Sequence, residues 1–139
     1  MVMAAVVAAM TGLHGSAAAQ AGRSVTYRAP SGITLTILLD DQNVGKEVSM
    51  AEMTFPPNLD SGEHQHGAIE MFYVLSGELE HVVNGQSSIL EPGMAGYVKI
   101  GDKVRHKTGP GGPVKALVVW VPGAEAGKIA ARWKKEEGY

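Results

Sequence analysis

Three side chains that could bind a metal ion lie close together near the middle of this sequence: His64, His66 and Glu70. On a β-strand, residues two apart point to the same face, so both imidazoles can be directed at one point, and Glu70 has the same parity. Two neutral imidazoles and one carboxylate suit a borderline divalent cation such as Fe, Mn, Ni, Co, Cu or Zn. The alternative is that surface or hydrogen-bonded polar residues happen to have this spacing.

A fourth ligand would have to come from the histidines that remain, His14, His81 and His106. His81 shares the parity of its apolar neighbours on a predicted strand, so it could point into the core and act as a general base. The alternative for His81 is a hydrogen-bonded polar residue without a catalytic role. The alternative for His106 is a solvent-exposed loop histidine. The spacing alone does not choose between these roles.

The elements that would position these residues are mostly β-strands, because apolar residues recur with a period of two after the first 21 residues. Eighteen glycines and seven prolines in 139 residues indicate many short elements joined by turns. Such a pattern favours an antiparallel sandwich or barrel. The predicted strands are Gly32–Leu39, Ser49–Phe55, Met71–Leu75, Gly77–Val83, Gln86–Leu90, Met94–Ile100 and Ala116–Val121.

Two of the predicted elements carry a further expectation. Met71–Leu75 is a continuous apolar run, as in a strand that is buried on both faces. Glu125–Glu137 has Ile129 and Trp133 four residues apart, which predicts a C-terminal helix that caps the barrel.

Composition excludes several classes of protein. The chain has no cysteine, so it contains neither disulfides nor thiolate metal sites. A formal net charge of −2 gives no indication of a nucleic-acid partner. The first 22 residues have no charged side chain and include an apolar, alanine-rich run that is too short to span a membrane. Residues 1–21 are therefore predicted to be a signal peptide, which implies a periplasmic or secreted protein. A disordered leader is the alternative.

The metal-binding pattern resembles the two motifs of the cupin superfamily, and the resemblance extends from about residue 33 to residue 121. The first motif corresponds to His64-x-His66-x3-Glu70-x6-Gly77. The second corresponds to Pro92-Gly93 through Gly101 to His106.

This resemblance implies an all-β fold, a double-stranded β-helix or jelly-roll barrel, with a short C-terminal helix in a single domain over residues 22–139. It also implies one divalent metal ion, held by His64, His66, Glu70 and His106. A metal with open coordination positions can polarise a substrate, activate water or, as iron, bind O₂.

The expected activity is that of a metal-dependent enzyme on a small organic molecule, either a dioxygenase-like oxidoreductase or an isomerase- or lyase-like enzyme. The alternative is a cupin that binds or senses a small ligand without turnover. His81 and Tyr97 are the candidate catalytic residues, although core packing explains Tyr97 equally well. Met94 and Phe72 are further candidates for the pocket lining.

Cupins are commonly dimers, and the first strands of the barrel have edges that need covering. We therefore expect a homodimer in which Val25–Tyr27 or Gly32–Leu39 pairs across the interface.

Overall fold

Ten strands and one short helix make up the part of the chain that the computed structural model describes, residue 22 and residues 24–136. The predicted signal peptide, residues 1–21, lies outside the described residues, and so do the last three residues of the predicted domain. The first five strands are β1 Val25–Arg28, β2 Thr34–Leu39, β3 Ser49–Phe55, β4 Ile69–Ser76 and β5 Leu79–Val83. The other elements are β6 Gln86–Leu90, β7 Ala95–Val98, β8 Val104–Thr108, β9 Val114–Val121, α1 Ala124–Ala130 and β10 Lys134–Lys135.

The strands form two antiparallel sheets. The larger has the order β10-β1-β2-β3-β9-β4-β7, and the smaller has the order β6-β5-β8. The prediction of an all-β jelly roll is thereby confirmed. Among the described residues, no helix is long and apolar enough to cross a membrane.

The inner faces of the sheets form an apolar core. Buried and less buried side chains alternate along β3, β4 and β9, as expected for strands with one face against the core. Phe55, Phe72 and Trp120 are among the largest of the fully buried side chains. The polar side chains buried in this interior include Glu70, His81 and His106.

The expectation that β4 is buried on both faces is wrong. On β4, Glu70, Phe72 and Val74 are buried. The residues between them are apolar, but they point outward, so only one face of the strand is buried. Those outward residues, from Ile69 to Leu75, are between 39% and 47% exposed.

The helix is shorter than predicted, and the chain after it is a strand. α1 ends at Ala130, and β10 pairs with β1, with Lys135 opposite Tyr27. An ion pair between Arg28 and Glu136 continues this contact. The pairing satisfies backbone groups at the edge of β1, a non-local gain that helical periodicity does not reveal.

The same pairing contradicts the predicted dimer geometry. β1 lies between β10 and β2, and β2 lies between β1 and β3. Tyr27 of β1 and Thr34–Ile37 of β2 therefore have neighbours within the chain on both sides, which leaves little of either segment free to pair with a second copy by backbone hydrogen bonds.

Candidate metal centre

His64, His66 and Glu70 come together where the chain enters the barrel. His64 forms an isolated bridge with Val104 of β8, and the chain then bends at residues 67 and 68 before β4 begins. The imidazole rings of His64 and His66 have centroids 4.9 Å apart. His66 Nε2 lies 3.3 Å from Glu70 Oε2. The structure therefore places His64 beside His66 and His66 beside Glu70, although the connecting segment is bent and not one continuous strand.

Glu70 is a carboxylate enclosed by the core. It is 2% exposed, and its Oε2 accepts a hydrogen bond of 2.6 Å from Trp120 Nε1. Burial raises the pKa of Glu70 to about 8, and the Trp120 hydrogen bond opposes part of that rise. Without a cation beside it, Glu70 is therefore largely protonated at neutral pH.

His66 lies between two carboxyl groups. Its Nδ1 is 3.1 Å from Glu125 Oε1 on α1, while its Nε2 faces Glu70. Burial lowers the pKa of His66, although the Glu125 hydrogen bond acts in the opposite direction. A carboxylate can only accept a hydrogen bond, so the Nδ1 of His66 carries the proton and the Nε2 of the neutral ring has the lone pair.

His106 is not the exposed loop histidine of the alternative prediction. It lies on β8, is 3% exposed and sits directly opposite His81 of β5. Its Nε2 is 3.1 Å from His81 Nδ1, and His81 Nε2 is 3.2 Å from the carbonyl oxygen of Tyr97. Burial lowers the pKa values of both histidines, that of His106 well below the usual range.

These contacts fix the tautomers of the pair. His81 donates from Nε2 to the Tyr97 carbonyl, so its Nδ1 accepts, and His106 donates from Nε2. The Nε2 of His106 therefore points at His81. The ring centroid of His106 lies 6.0 Å from that of His64.

The types of side chain at this site suit a divalent metal ion, but their positions do not form a complete set of ligands. Within the described part of the chain, no three histidine or carboxylate side chains are grouped so that one ion could be held by all of them. Two atoms of the predicted set, His66 Nε2 and Glu70 Oε1, are nevertheless buried without a hydrogen-bond partner. Buried polar atoms are normally satisfied, and a divalent cation would satisfy both of these.

A cavity of about 550 Å³ opens between β6 and β7, and its described lining includes none of the four candidate metal ligands. His81 lies in its wall, along with Ser88 and Gln86 of β6. Tyr97 also lines the cavity, but its side chain is 62% exposed, and its backbone carbonyl is the group that contacts His81. Of the other candidates for the lining, Met94 is 45% exposed and Phe72 packs in the core against His106.

Glu125 and Trp120 contact the candidate ligands, although the motifs and spacing did not indicate either residue. Glu125 was interpreted as part of a capping helix, yet it is 5% exposed and contacts His66. A usable signal was the small residues around it, in the run Gly123-Ala124-Glu125-Ala126-Gly127. A lone acid among residues that permit close packing indicates a helix pressed against the barrel with its carboxylate inside.

Comparison with solved structures shows the same fold in proteins of several descriptions. The polyketide cyclase RemF from Streptomyces resistomycificus is 26% identical, with a TM-score of 0.61 over 72% of this chain and 73% of that one. A predicted oxalate decarboxylase from Thermotoga maritima is 20% identical, with a TM-score of 0.63 over 73% and 93%. An RmlC-like cupin from Shewanella frigidimarina is 15% identical, with a TM-score of 0.62 over 75% and 95%.

No curated protein matches the chain. The model of the cupin domain family, in contrast, matches residues 51–121, just over half of the sequence. That segment contains most of β3, all of β4 to β9 and every candidate metal ligand. With the motifs, the two-sheet barrel and the family match in agreement, this chain belongs to the cupin family.

Proposed function

We propose that this cupin binds one divalent metal ion through His64, His66, Glu70 and His106, and that it acts on a small organic molecule. The observation that carries the proposal is the pair of buried atoms without hydrogen-bond partners, His66 Nε2 and Glu70 Oε1. Both atoms belong to residues of the first cupin motif. Each can coordinate a divalent cation, one as an imidazole nitrogen and the other as a carboxylate oxygen.

When bound, such an ion would polarise a substrate oxygen or lower the pKa of a bound water. The residues of the chain would orient it. Trp120 Nε1 holds one oxygen of Glu70, which leaves the other oxygen for the metal. A hydrogen bond from a neighbouring residue to a metal-binding side chain fixes the direction of that side chain and strengthens metal binding.

The cavity between β6 and β7 supports a small organic substrate. Its volume of about 550 Å³ lies within the range of about 300–1,000 Å³ that is typical of small-molecule sites. His81 is the residue that both lines this cavity and contacts His106. A substrate in the cavity would therefore meet His81 first, and we assign His81 the proton-transfer role.

The type of reaction is proposed as isomerase- or lyase-like in preference to dioxygenase-like. A proton-transfer group beside the metal suits a reaction without net oxidation. RemF is a polyketide cyclase by name, and its match with this chain covers a similar share of the two proteins.

Metal content is the first test. The full chain is incubated with each of the six candidate metals, freed of excess and analysed for metal per chain. We expect about one ion per chain for at least one metal, and loss of it in His66→Ala and Glu70→Gln. Glu63→Gln is the matched control, since its carboxylate is exposed and paired with Lys103.

The fourth ligand is tested separately, because His106 Nε2 faces His81 in the structure. His106→Ala should weaken metal binding, whereas His81→Ala should retain the metal. If His106→Ala binds as tightly as the parent, His81 replaces it as the candidate. A parent that binds none of the six metals contradicts the metal centre altogether.

Turnover is the second test. The metal-loaded chain is mixed with phenolic and dicarbonyl compounds, while oxygen uptake and product mass are followed. Products formed without oxygen uptake support the proposed class, and incorporation of two oxygen atoms contradicts it. Ligand binding without any product favours the other candidate function, a binding or sensing cupin.

We also propose that the protein is a homodimer, joined through an outer patch on the larger sheet. The outer patch consists of exposed apolar residues at neighbouring outward positions: Ile69, Met71, Tyr73 and Leu75 on β4, Tyr97 on β7 and Val121 on β9. Met71 lies opposite Tyr97 on one side and Val119 on the other, so the residues form one continuous surface.

A second copy of the chain is the occupant that fits the outer patch. Its six side chains are 39–62% exposed. A contiguous group of exposed apolar side chains on one face of a sheet is typical of a protein–protein contact. The six residues are uncharged, and next to them Lys115, opposite Ser76, pairs with Glu52 at 2.9 Å. Two copies that met through this patch across a two-fold axis would not bring like charges of the patch together.

A further inference from the structure

Glu125 is a buried acid whose partner is far away in sequence. It lies in the first turn of α1, and its side chain is 7% exposed. Its Oε1 is 3.1 Å from His66 Nδ1, 59 residues earlier. Its Oε2 is 3.5 Å from Lys128 Nζ, at the surface of the same helix.

The position of the carboxylate is set by close packing of α1 against the barrel. A Cβ at Gly123 would lie 2.4 Å from the backbone carbon of Val48, and the Gly123 N–H donates to the Lys46 carbonyl at 2.9 Å. Ala126 and Ile129 are buried on the same helix. The start of α1 is therefore held on the barrel wall, and Glu125 has little freedom to leave His66.

The contact determines which nitrogen of His66 carries a hydrogen. Glu125 accepts from Nδ1, so the lone pair of the neutral ring is on Nε2. That Nε2 points at Glu70, 3.3 Å away, and has no hydrogen-bond partner. With the hydrogen on Nε2 instead, the ring would present a donor where the proposed function needs an acceptor.

We infer that Glu125 is a positioning residue, which holds His66 in the Nδ1–H tautomer so that its Nε2 lone pair faces Glu70. The value of this arrangement for metal binding rests on the proposed function. The tautomer itself does not, because it follows from contacts within the chain. Ligating histidines commonly donate their other N–H to a carboxylate, and loss of such a partner typically costs about 10- to 100-fold in metal affinity.

The first measurement is made without metal. The ¹⁵N-labelled full chain, treated with chelator, is studied by NMR at one pH, and the ring nitrogens of His66 are assigned. We expect a protonated Nδ1 and an unprotonated Nε2 in the parent, and a mixture of tautomers in Glu125→Ala. Glu125→Gln preserves the side-chain volume and an acceptor oxygen, so it should retain part of the preference even if Glu125→Ala does not fold.

The second measurement is calorimetric titration with Co²⁺ alone. Glu125→Ala should bind Co²⁺ about 10- to 100-fold more weakly than the parent, and Glu125→Gln should fall between them. Lys128→Ala is the matched control, since it removes the other contact of Glu125 from an exposed position and should leave the Co²⁺ affinity within about twofold.

The two measurements separate failure of this inference from failure of the proposed function. If Glu125→Ala and Glu125→Gln both keep the parental tautomer, Glu125 does not position His66 and the inference is overturned. If the tautomer changes as expected but the parent binds no metal, the positioning role stands and the metal-dependent function fails.

Discussion

Glu70 shows how far burial alone can alter the chemistry of one residue. Its oxygens lie in the core, one bonded to Trp120 and the other without a partner. Because the pKa of Glu70 is raised, the metal-free folded protein keeps the Glu70 proton at neutral pH, where the unfolded chain has released it.

This difference makes stability depend on pH in a defined direction. The unfolded carboxyl loses its proton near 4.5 and the folded one near 8, so the folded state binds more protons between these values. The free energy of unfolding contributed by Glu70 therefore falls as pH rises from about 4.5 to about 8 and is then constant. The full change is on the order of 5 kcal/mol.

Glu70→Gln should remove this dependence, since glutamine retains an acceptor for Trp120 and does not ionise. Urea unfolding of the chelator-treated proteins at pH 5 and pH 8 measures it. We expect the variant to gain stability relative to the parent at pH 8. Glu63→Gln should follow the parent at both values. An equal difference between Glu70→Gln and the parent at the two pH values would contradict the prediction.

At the residue scale, the sequence predicted what local spacing can encode. His64, His66 and Glu70 lie within seven residues, and the structure places His66 next to each of the other two. The contact of Glu125 with His66 depends on how α1 docks, which spacing does not contain. The direction of His106 Nε2 was likewise not predictable, because it is set by the His81 tautomer and a backbone carbonyl.

At the scale of elements, alternation was a good guide where one face of a strand meets the core. β3 and β6 have the predicted bounds. β4 was misinterpreted because its outward residues are also apolar, a feature that burial within the chain does not explain and that the proposed dimer does. The predicted helix to Glu137 failed because β10 pairs with β1.

The close approach of β7 to β5 and β6 depends on Gly96. A Cβ at this position would lie 2.6 Å from Leu90 Cδ1 and 3.1 Å from His81 Cδ2. The end of Leu90 can move, but the His81 ring is held by contacts at both nitrogens.

Gly96→Ala should therefore lower the free energy of unfolding by about 1–3 kcal/mol, as expected for overpacking, and should displace His81. Urea unfolding gives the first effect, and the His81 NMR signals give the second. Gly109→Ala is the matched control, because a Cβ there meets nothing within 4 Å and its stability should change by less than about 0.5 kcal/mol. If the two variants are equally stable, the packing argument is wrong.

At the scale of the whole molecule, the family and the jelly roll followed from motifs and periodicity, and both are confirmed. The assembly did not follow. A strand's free edges depend on its neighbours in the sheet, and β10 covers β1 through a pairing more than 100 residues away, as the Arg28–Glu136 contact shows. The proposed interface is therefore the outer patch and not a strand edge.

Met71→Glu should separate the dimer. Met71 lies in the middle of the outer patch, between Tyr97 and Val119, so a second copy would bury the new carboxylate against apolar side chains. An unpaired buried charge is costly enough to outweigh the contribution of a small interface. Sedimentation at micromolar concentration should show a dimer for the parent and a monomer for Met71→Glu.

Ile89→Glu is the matched control: Ile89 is 51% exposed on β6, outside the outer patch, so this variant should sediment as the parent does. A monomeric parent would refute the homodimer, whereas a dimeric Met71→Glu would show that the copies meet on another surface and leave the exposure of β4 unexplained.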